Sequence, residues 1–311
     1  MKKNVKIKVI GVGGSGCNAI TRMMKCHIQG VDLIALNTDV QDLKNTRAHY
    51  RLQIGRELTK GLGTGMDPDI GRRAAEEQRK EIQDILKDSD MIFVTYGAGG
   101  GTGTGAGPVV AEIAKKLGIL TVAVVTKPFS FEGMWRMKLA EQGIDNLKNR
   151  VDTLLVIPNN KLLGLIDQET SLLQSFWICD EVLRQAVQGI SDLIVLPGII
   201  NVDFADLKAI MKNSGQALFG MGRAKGEKRA IEAANKAISC PLVDFSIQGA
   251  KGVLFNVSGG ADLSLIEVNE IAKLITQHIH PKAKVIFGAV QDKKLKKGEI
   301  KVTIIATGFT Q

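Results

Sequence analysis

Gly99-Gly100-Gly101-Thr102-Gly103-Thr104-Gly105 decides how the rest of this 311-residue chain is read. The stretch follows an apolar, β-branched run ending at Thr95, with Gly97 just ahead of it, and it opens a helical pattern over 106–117. Five glycines in seven positions let a backbone approach a ligand closely and aim successive N–H groups at one point. The helix that follows adds partial positive charge at its N-terminus, and the hydroxyls of Thr102 and Thr104 are further donors. A di- or triphosphate suits that geometry. A flexible linker could share the composition, but a linker does not stand between a buried strand and a well-formed helix.

The same strand–turn–helix order extends on both sides of the loop. Residues 6–12, 32–37, 91–95, 120–126 and 153–158 are short apolar runs rich in β-branched side chains, each followed by a turn and a helical pattern. Near-continuous apolar strands alternating with helices imply a parallel sheet covered on both faces. The expected class is α/β, a Rossmann-like doubly wound domain whose ligands bind at the carboxyl ends of the strands. The alternation breaks at 171–196, where Leu172, Phe176, Cys179, Leu183, Val187, Ile190 and Ile194 recur at steps of four and three. Ser171 with Gln174 can form a capping box, and Pro197-Gly198 ends this helix, which at 1.5 Å per residue is roughly 39 Å long. Beyond it, helices over 203–213, 226–239 and 263–278 and strands over 253–258, 284–290 and 300–307 read as a smaller α/β domain. The expected division is a first domain over 1–170, a central helix over 171–198 and a second domain over 199–311.

Composition narrows the function classes. Apolar residues at 44% and charged residues at 23% describe an ordinary globular protein. No apolar run reaches the roughly 18 to 20 residues that span a bilayer, so direct membrane insertion is not expected. The N-terminal Met1-Lys2-Lys3-Asn4 leads at once into a strand-like run, without room for a signal peptide, which points to the cytoplasm. Cys17, Cys26, Cys179 and Cys240 have no metal-ligand spacing, and His27, His49, His278 and His280 are scattered, so no metal site is expected on the protein itself. The net charge of +9 raises the question of nucleic acid. Its densest run, Lys293-Lys294-Leu295-Lys296-Lys297, lies between two strand-like segments with no aromatic to stack a base. It reads as a solvated hairpin loop, and no specific nucleic acid is expected.

Gly11-Val12-Gly13-Gly14-Ser15-Gly16 is a second phosphate-type turn, after the first strand and before a helix holding Cys17 and Asn18. Alone it would suit a dinucleotide, and an NAD(P)-dependent oxidoreductase is the alternative function. That alternative expects an acidic residue ending the second strand, whereas here the strand ends on Asn37-Thr38, with Asp39 just beyond. There is no GxxxxGK[ST] motif.

The 99–105 loop resembles the signature loop of the tubulin/FtsZ family, and the family's other motifs follow in order. Residues 11–18 resemble its first nucleotide loop, and Asn37-Thr38-Asp39 the turn after its second strand. Gly61-Leu62-Gly63-Thr64-Gly65-Met66-Asp67-Pro68 resembles its γ-phosphate-sensing loop. Pro128-Phe129-Ser130-Phe131-Glu132-Gly133 with Arg136 resembles its ribose-contacting loop. Val182-Leu183-Arg184-Gln185 and Gln188-Gly189-Ile190-Ser191-Asp192-Leu193 are similar to its central helix, and Asn201-Val202-Asp203-Phe204-Ala205-Asp206 to its synergy loop. The resemblance covers essentially the whole chain and leans to the bacterial division type rather than to eukaryotic tubulin. Departures are Tyr96 and Ala98, where a small residue and often a methionine is expected, Met134-Trp135 in place of a basic pair, and the basic net charge.

The resemblance implies GTP and GDP as ligands, with Mg2+ held mainly through phosphates and water. It implies a homopolymer that assembles head to tail at the division site, and membrane adaptors only where the full protein carries a tail after the last strand. It implies that Asp180 reads guanine, with Asn18 and Asn159 as polar contacts and Phe176 stacked on the ring. A carboxylate can accept from both N1–H and the 2-amino group of guanine, and adenine offers no such pair. From spacing alone Asp180 is an exposed helical acid, and Glu132 with Arg136 is equally a surface ion pair. Asp203 and Asp206 can be an N-cap and a first-turn acid; the resemblance makes them carboxylates that position water for attack on the γ-phosphate, with Asn201 shaping the loop. Asp180 lies about 17 residues, roughly 26 Å of helix, before Pro197. If both sets act on one GTP, Asp203 must come from a neighbouring subunit, and a head-to-tail contact that does not close makes a filament.

Overall fold

The computed structural model describes residues 5–162, 171–195, 198–239, 247–292 and 295–309, with the side chains of Leu172 and Leu173 left aside. Leu196, Pro197, Cys240, Lys293 and Lys294 lie outside the described residues, and with them the proposed stop of the long helix and half of the lysine run. The chain folds as two compact units, 1–188 and 189–311.

The first unit runs β1 (Ile7–Val12), α1 (Gly13–Lys25), β2 (Val31–Asn37), α2 (Val40–Asn45), β3 (Tyr50–Gln53), α3 (Arg56–Thr59), α4 (Pro68–Glu77) and α5 (Arg79–Leu86). It continues with β4 (Met91–Gly97), α6 (Gly101–Lys116), β5 (Leu120–Lys127), a 3-10 turn (Ser130–Glu132), α7 (Met134–Lys148), β6 (Thr153–Pro158) and α8 (Asn159–Leu162). Its strands pair in the order β3-β2-β1-β4-β5-β6, all parallel. Both faces are covered, which is why β4 and β5 are buried almost end to end rather than in alternation. Ile10, Val94, Tyr96, Val110 and Val125 lie in its main core.

The long helix α9 spans Leu172–Val195, and the boundary between the units falls inside it. Its capping box is present: Ser171 N–H donates to Gln174 Oε1 at 2.9 Å, and Gln174 N–H donates to Ser171 Oγ at 3.3 Å.

The second unit contains α10 (Phe204–Met211), β7 (Gly215–Lys225), α11 (Arg229–Ile238), β8 (Gly252–Gly259), α12 (Leu265–Gln277), β9 (Lys284–Gln291) and β10 (Glu299–Thr307). Its strand order is β7-β10-β8-β9, with β10 antiparallel to both neighbours and β8 parallel to β9. Phe255, Ile271 and Val302 lie in the core of this unit.

Two expectations are corrected here, and one element escaped the sequence reading. The loop 101–105 is not a loop ahead of a helix starting at 106, because Gly101 already has helical geometry and begins α6. The segment between β9 and β10 is not a hairpin, since those strands do not pair and β8 lies between them. Finally, β7 carries no strand signal that the apolar-run reading detects. Gly220 and Gly222 interrupt its run, and a Cβ at Gly222 would collide with the carbonyl of Ala233 on α11.

Candidate functional site

In the first unit β1 runs straight into α1 and β4 reaches α6 through the three residues 98–100, so α1 and α6 begin side by side. A Cβ at Gly13 would come within 3.0 Å of Gly103 N and 3.2 Å of Thr102 Cβ. The N-cap positions Val12 and Gly100 offer no side-chain bond, and neither helix has an acid in its first turn. Elsewhere the chain does cap: Asp39 accepts from the amides of Gln41 and Asp42, and Asp67 from those of Asp69 and Ile70. Two uncapped N-termini in contact present several backbone N–H groups without helical partners, together with the positive ends of two helix dipoles.

Not every glycine of the signature faces a ligand. A Cβ at Gly101 would strike Thr64 Oγ1 and lie 2.7 Å from Asp67 N, and one at Gly105 would strike the Pro68 carbonyl, so these two let α4 lie against α6. Gly103 and Gly107 face the ring of Tyr96. Gly100 meets nothing within 4 Å and faces open space, and Gly99 takes a φ of +95°, which favours glycine. Gly65, at the exposed tip of the 61–68 segment, also has open space and positive φ.

Hydroxyls tie the pieces together. Thr102 shares a 2.7 Å hydrogen bond with Thr38 and a 3.4 Å one with Thr64, joining α6 to the turn after β2 and to the segment before α4. Gly97 N–H donates to Ser15 Oγ at 2.6 Å, and Gly99 N–H donates to Thr104 Oγ1 at 2.9 Å. Asn37 donates to Asp42 Oδ2 at 2.7 Å and accepts from Asp39 N–H at 3.3 Å, so both ends of its amide are engaged. Gly14, Ser15 and Asn18 are exposed, while Gly16 and Cys17 are buried. Burial pushes the Cys17 thiol up to about 12, so only its backbone is available to a ligand.

After β5, buried Pro128 and Phe129 lead into the 3-10 turn. Glu132 accepts from Phe129 N–H at 2.8 Å and pairs with Arg136 at 3.0 Å. The i,i+4 ion pair that spacing allowed is therefore formed. It is not an isolated surface pair, because Glu132 is largely buried and a Cβ at Gly99 would come within 2.6 Å of the Arg136 carbonyl oxygen. The 128–136 segment thus touches the glycine signature on one side. On the other side Phe129 meets Phe176 of α9 edge-on at 5.7 Å, leaving Phe176 39% exposed.

One turn past Phe176 is Asp180. Burial pushes its carboxyl up to about 7 against the pull of Arg22, and among the described residues no hydrogen bond or ion pair satisfies it. Its neighbour Glu181 is the opposite case. Burial pushes its carboxyl upward, but Arg184 and Arg22 outweigh that and hold it at about 2. Asn159, 5% exposed at the end of β6, keeps a buried Oδ1 without a partner. Unsatisfied buried polar groups in a cleft are where a polar ligand gains most.

The residues 13–18, 37, 65, 97, 99–105, 128, 132, 136, 159, 176 and 180 thus all belong to the first unit. Sequence reasoning missed Arg22, which pairs with Glu181 at 3.0 Å and stacks over Trp177 at 3.7 Å, linking α1 to α9. A signal existed: Arg22 follows Asn18 by four residues and shares its helix face.

The remaining three candidates lie in the second unit. Asp203 occupies the N-cap position of α10, but its side chain makes no capping bond, so the structural role foreseen for it is not filled. Asp203 and Asp206 are exposed, and Asn201 Oδ1 accepts from Gly198 N–H at 2.7 Å, closing the loop that carries them.

Comparison with known proteins matches two family models. The Tubulin/FtsZ family, GTPase domain, fits residues 6–167, and the FtsZ family, C-terminal domain, fits residues 215–310. Among solved structures, an empty FtsZ dimer from M. jannaschii is 47% identical with a TM-score of 0.94, covering 99% of this chain and 89% of that one. A mutant FtsZ from the same organism is 48% identical at TM-score 0.94, covering 98% and 92%. A GDP-bound CetZ1 monomer from Haloferax volcanii shares the fold at 22% identity and TM-score 0.84, covering 99% and 95%. The FtsZ matches agree with the branch expected from the motifs; they carry no support for a bacterial source.

Proposed function

Because this chain belongs to the tubulin/FtsZ family of GTPases, we propose that it binds GTP in the first unit and hydrolyses it where a second copy stacks head to tail. The resulting filament would serve cell division. The observation that carries this reading is the pair of touching, uncapped helix N-termini, with a half-buried carboxylate, Asp180, that has no hydrogen bond or ion pair among the described residues, in the same unit. The first suits phosphates, and the second suits a base with two adjacent donors, which is guanine and not adenine. Asn159 Oδ1 and the partly exposed ring of Phe176 add an acceptor and a stacking surface. The dinucleotide alternative is disfavoured because β2 ends on Asn37, whose amide is already engaged.

Among the described residues no group of three or more His, Cys, Asp or Glu could hold a metal ion. Mg2+ is proposed as an ion carried mainly on the phosphates and water, where it would offset phosphate charge. The residues proposed to orient the attacking water are Asp203 and Asp206, with Asn201 holding their loop. From Asp180 to the end of α9 at Val195 the helix rises roughly 22 Å. That distance supports assigning Asp203 to the GTP of a neighbour rather than to its own.

Complementation tests this. Asp203→Ala should bind GTP but hydrolyse it poorly; Asp180→Ala should bind GTP poorly but keep Asp203. Mixed, they should recover phosphate release through joints where Asp203 of one faces GTP on the other, and recovery should vanish on dilution below assembly. A co-assembled mixture as inactive as its parts would sink the shared site.

A further inference from the structure

Tyr96 ends the buried part of β4 and is fully buried, with no group among the described residues hydrogen-bonded to its hydroxyl. Burial also pushes its phenol above the usual tyrosine range, so it stays neutral and acts through its ring. That ring lies on a face of α6 where two glycines, one helical turn apart, leave no side chains. A Cβ at Gly103 would come within 3.0 Å of Tyr96 Cβ and 3.2 Å of Cδ2, and one at Gly107 would collide with Cε1 and lie 2.8 Å from Cδ1. Gly103 is pressed from its other side by Gly13, whose Cβ would stand 3.0 Å from Gly103 N. The first turn of α6 is therefore held between an aromatic ring beneath it and the start of α1 beside it.

We propose that Tyr96 is a positioning residue for the phosphate-binding turn, with Gly107 as its obligate partner. The ring sets how far the first turn of α6 stands from β4, and so where the N–H groups of Gly101, Thr102 and Gly103 present themselves to phosphate. Gly107 has no catalytic or ligand role; it is glycine so that the ring can lie flat. The proposal rests on the reading of this turn as the phosphate site and adds a residue that touches no ligand. Interiors pack at close to crystal density, so a missing ring is not silently absorbed and the helix must move or a void must open.

The test is equilibrium binding of GTP, GDP and guanosine to the full chain, with thermal melting of each variant alongside. Tyr96→Ala should weaken GTP and GDP by tenfold or more and leave guanosine within about twofold, because only the phosphate end has shifted. Tyr96→Phe should rescue binding, since the hydroxyl has no partner to lose. Tyr96→Ala with Gly107→Ala should recover part of the lost affinity by refilling space, although Gly107→Ala alone is expected to be the least stable variant. If Tyr96→Ala melts too low to assay, Tyr96→Leu gives the same comparison. Wild-type affinities for all three ligands in a folded Tyr96→Ala, or equal losses for guanosine and GTP, would overturn the proposal. A wild-type protein that binds guanosine but gains nothing from the phosphates would instead overturn the reading of the phosphate site itself, and the role of Tyr96 with it.

Discussion

The proposed phosphate end and the proposed base end of the site are built on opposite plans. At the phosphate end nearly everything is engaged before any ligand arrives. Thr102 is hydrogen-bonded to Thr38 and Thr64, Ser15 and Thr104 accept from backbone amides, and the glycines of α6 are packed against α4 and Tyr96. The helix N-termini and the open sides of Gly100 and Gly65 are left to face outward. At the base end the polar groups are left wanting among the described residues: Asp180 without a hydrogen bond, Asn159 Oδ1 without a donor, and beside them a partly exposed Phe176. The difference teaches that affinity and selectivity can be assigned to separate places. A pre-set phosphate cradle binds any nucleotide tail with little reorganisation, whereas unsatisfied groups reward the one base that completes them.

The sharpest way to break this contrast is Asp180→Ala. It should leave the phosphate cradle untouched and lower the ratio of GTP to ATP affinity about 100-fold, or about 2.8 kcal/mol. An unchanged ratio in competition binding would remove the base-reading role. A second experiment addresses the other end. Gly105→Ala drives a methyl into the Pro68 carbonyl and should cost about 2 kcal/mol of stability. Gly100→Ala meets open space and should melt close to wild type. Equal melting temperatures for the two would mean that the signature glycines are not divided between packing and ligand.

A smaller effect separates the two ends by pH. Burial raises the Asp180 carboxyl from 3.8 to about 7, opposed by Arg22, with Cys179 as its other titratable neighbour. In the ligand-free protein this stabilisation is complete below about pH 4 and is lost as pH rises through 7, because the folded state holds the proton more tightly. Guanine asks for the opposite state, since only the carboxylate accepts from both donors. GTP affinity should therefore fall as pH drops below 7, approaching tenfold per unit, and Asp180→Asn should flatten that profile. A flat wild-type profile between pH 5.5 and 8 would show that the proton on Asp180 does not compete with the base.

Much of the first unit was legible because its strands are buried on both faces and so read as unbroken apolar runs; Thr153–Pro158 was located to the residue. The glycine signature stood out in the sequence and reads as the proposed phosphate site, but the division of labour within it was not legible. Sequence shows that Gly101, Gly105 and Gly107 lack a side chain; only the neighbouring Thr64, Pro68 and Tyr96 show why. The second unit was harder. β7 alternates glycine with apolar and basic residues, so its backbone pairing with β10 over Ala217 to Lys225 had no local signature. The β9–β10 connection looked like a hairpin because two strand patterns flank a basic turn, and register with β8 is a long-range property. The Arg22–Glu181 link escaped for the same reason, since its partners stand far apart in sequence.

The place of β8 between β9 and β10 bears on how the protein is made. β10, made after β7, β8 and β9, has its place between β7 and β8 rather than at the rim. Until Glu299–Thr307 has emerged, both of those earlier strands carry a row of unpaired amides and carbonyls along the side reserved for it. The second unit therefore cannot be sealed strand by strand as synthesis proceeds. Its assembly waits on Glu299–Thr307, a long-range pairing that favours slow folding and a period in which a chaperone has something to hold.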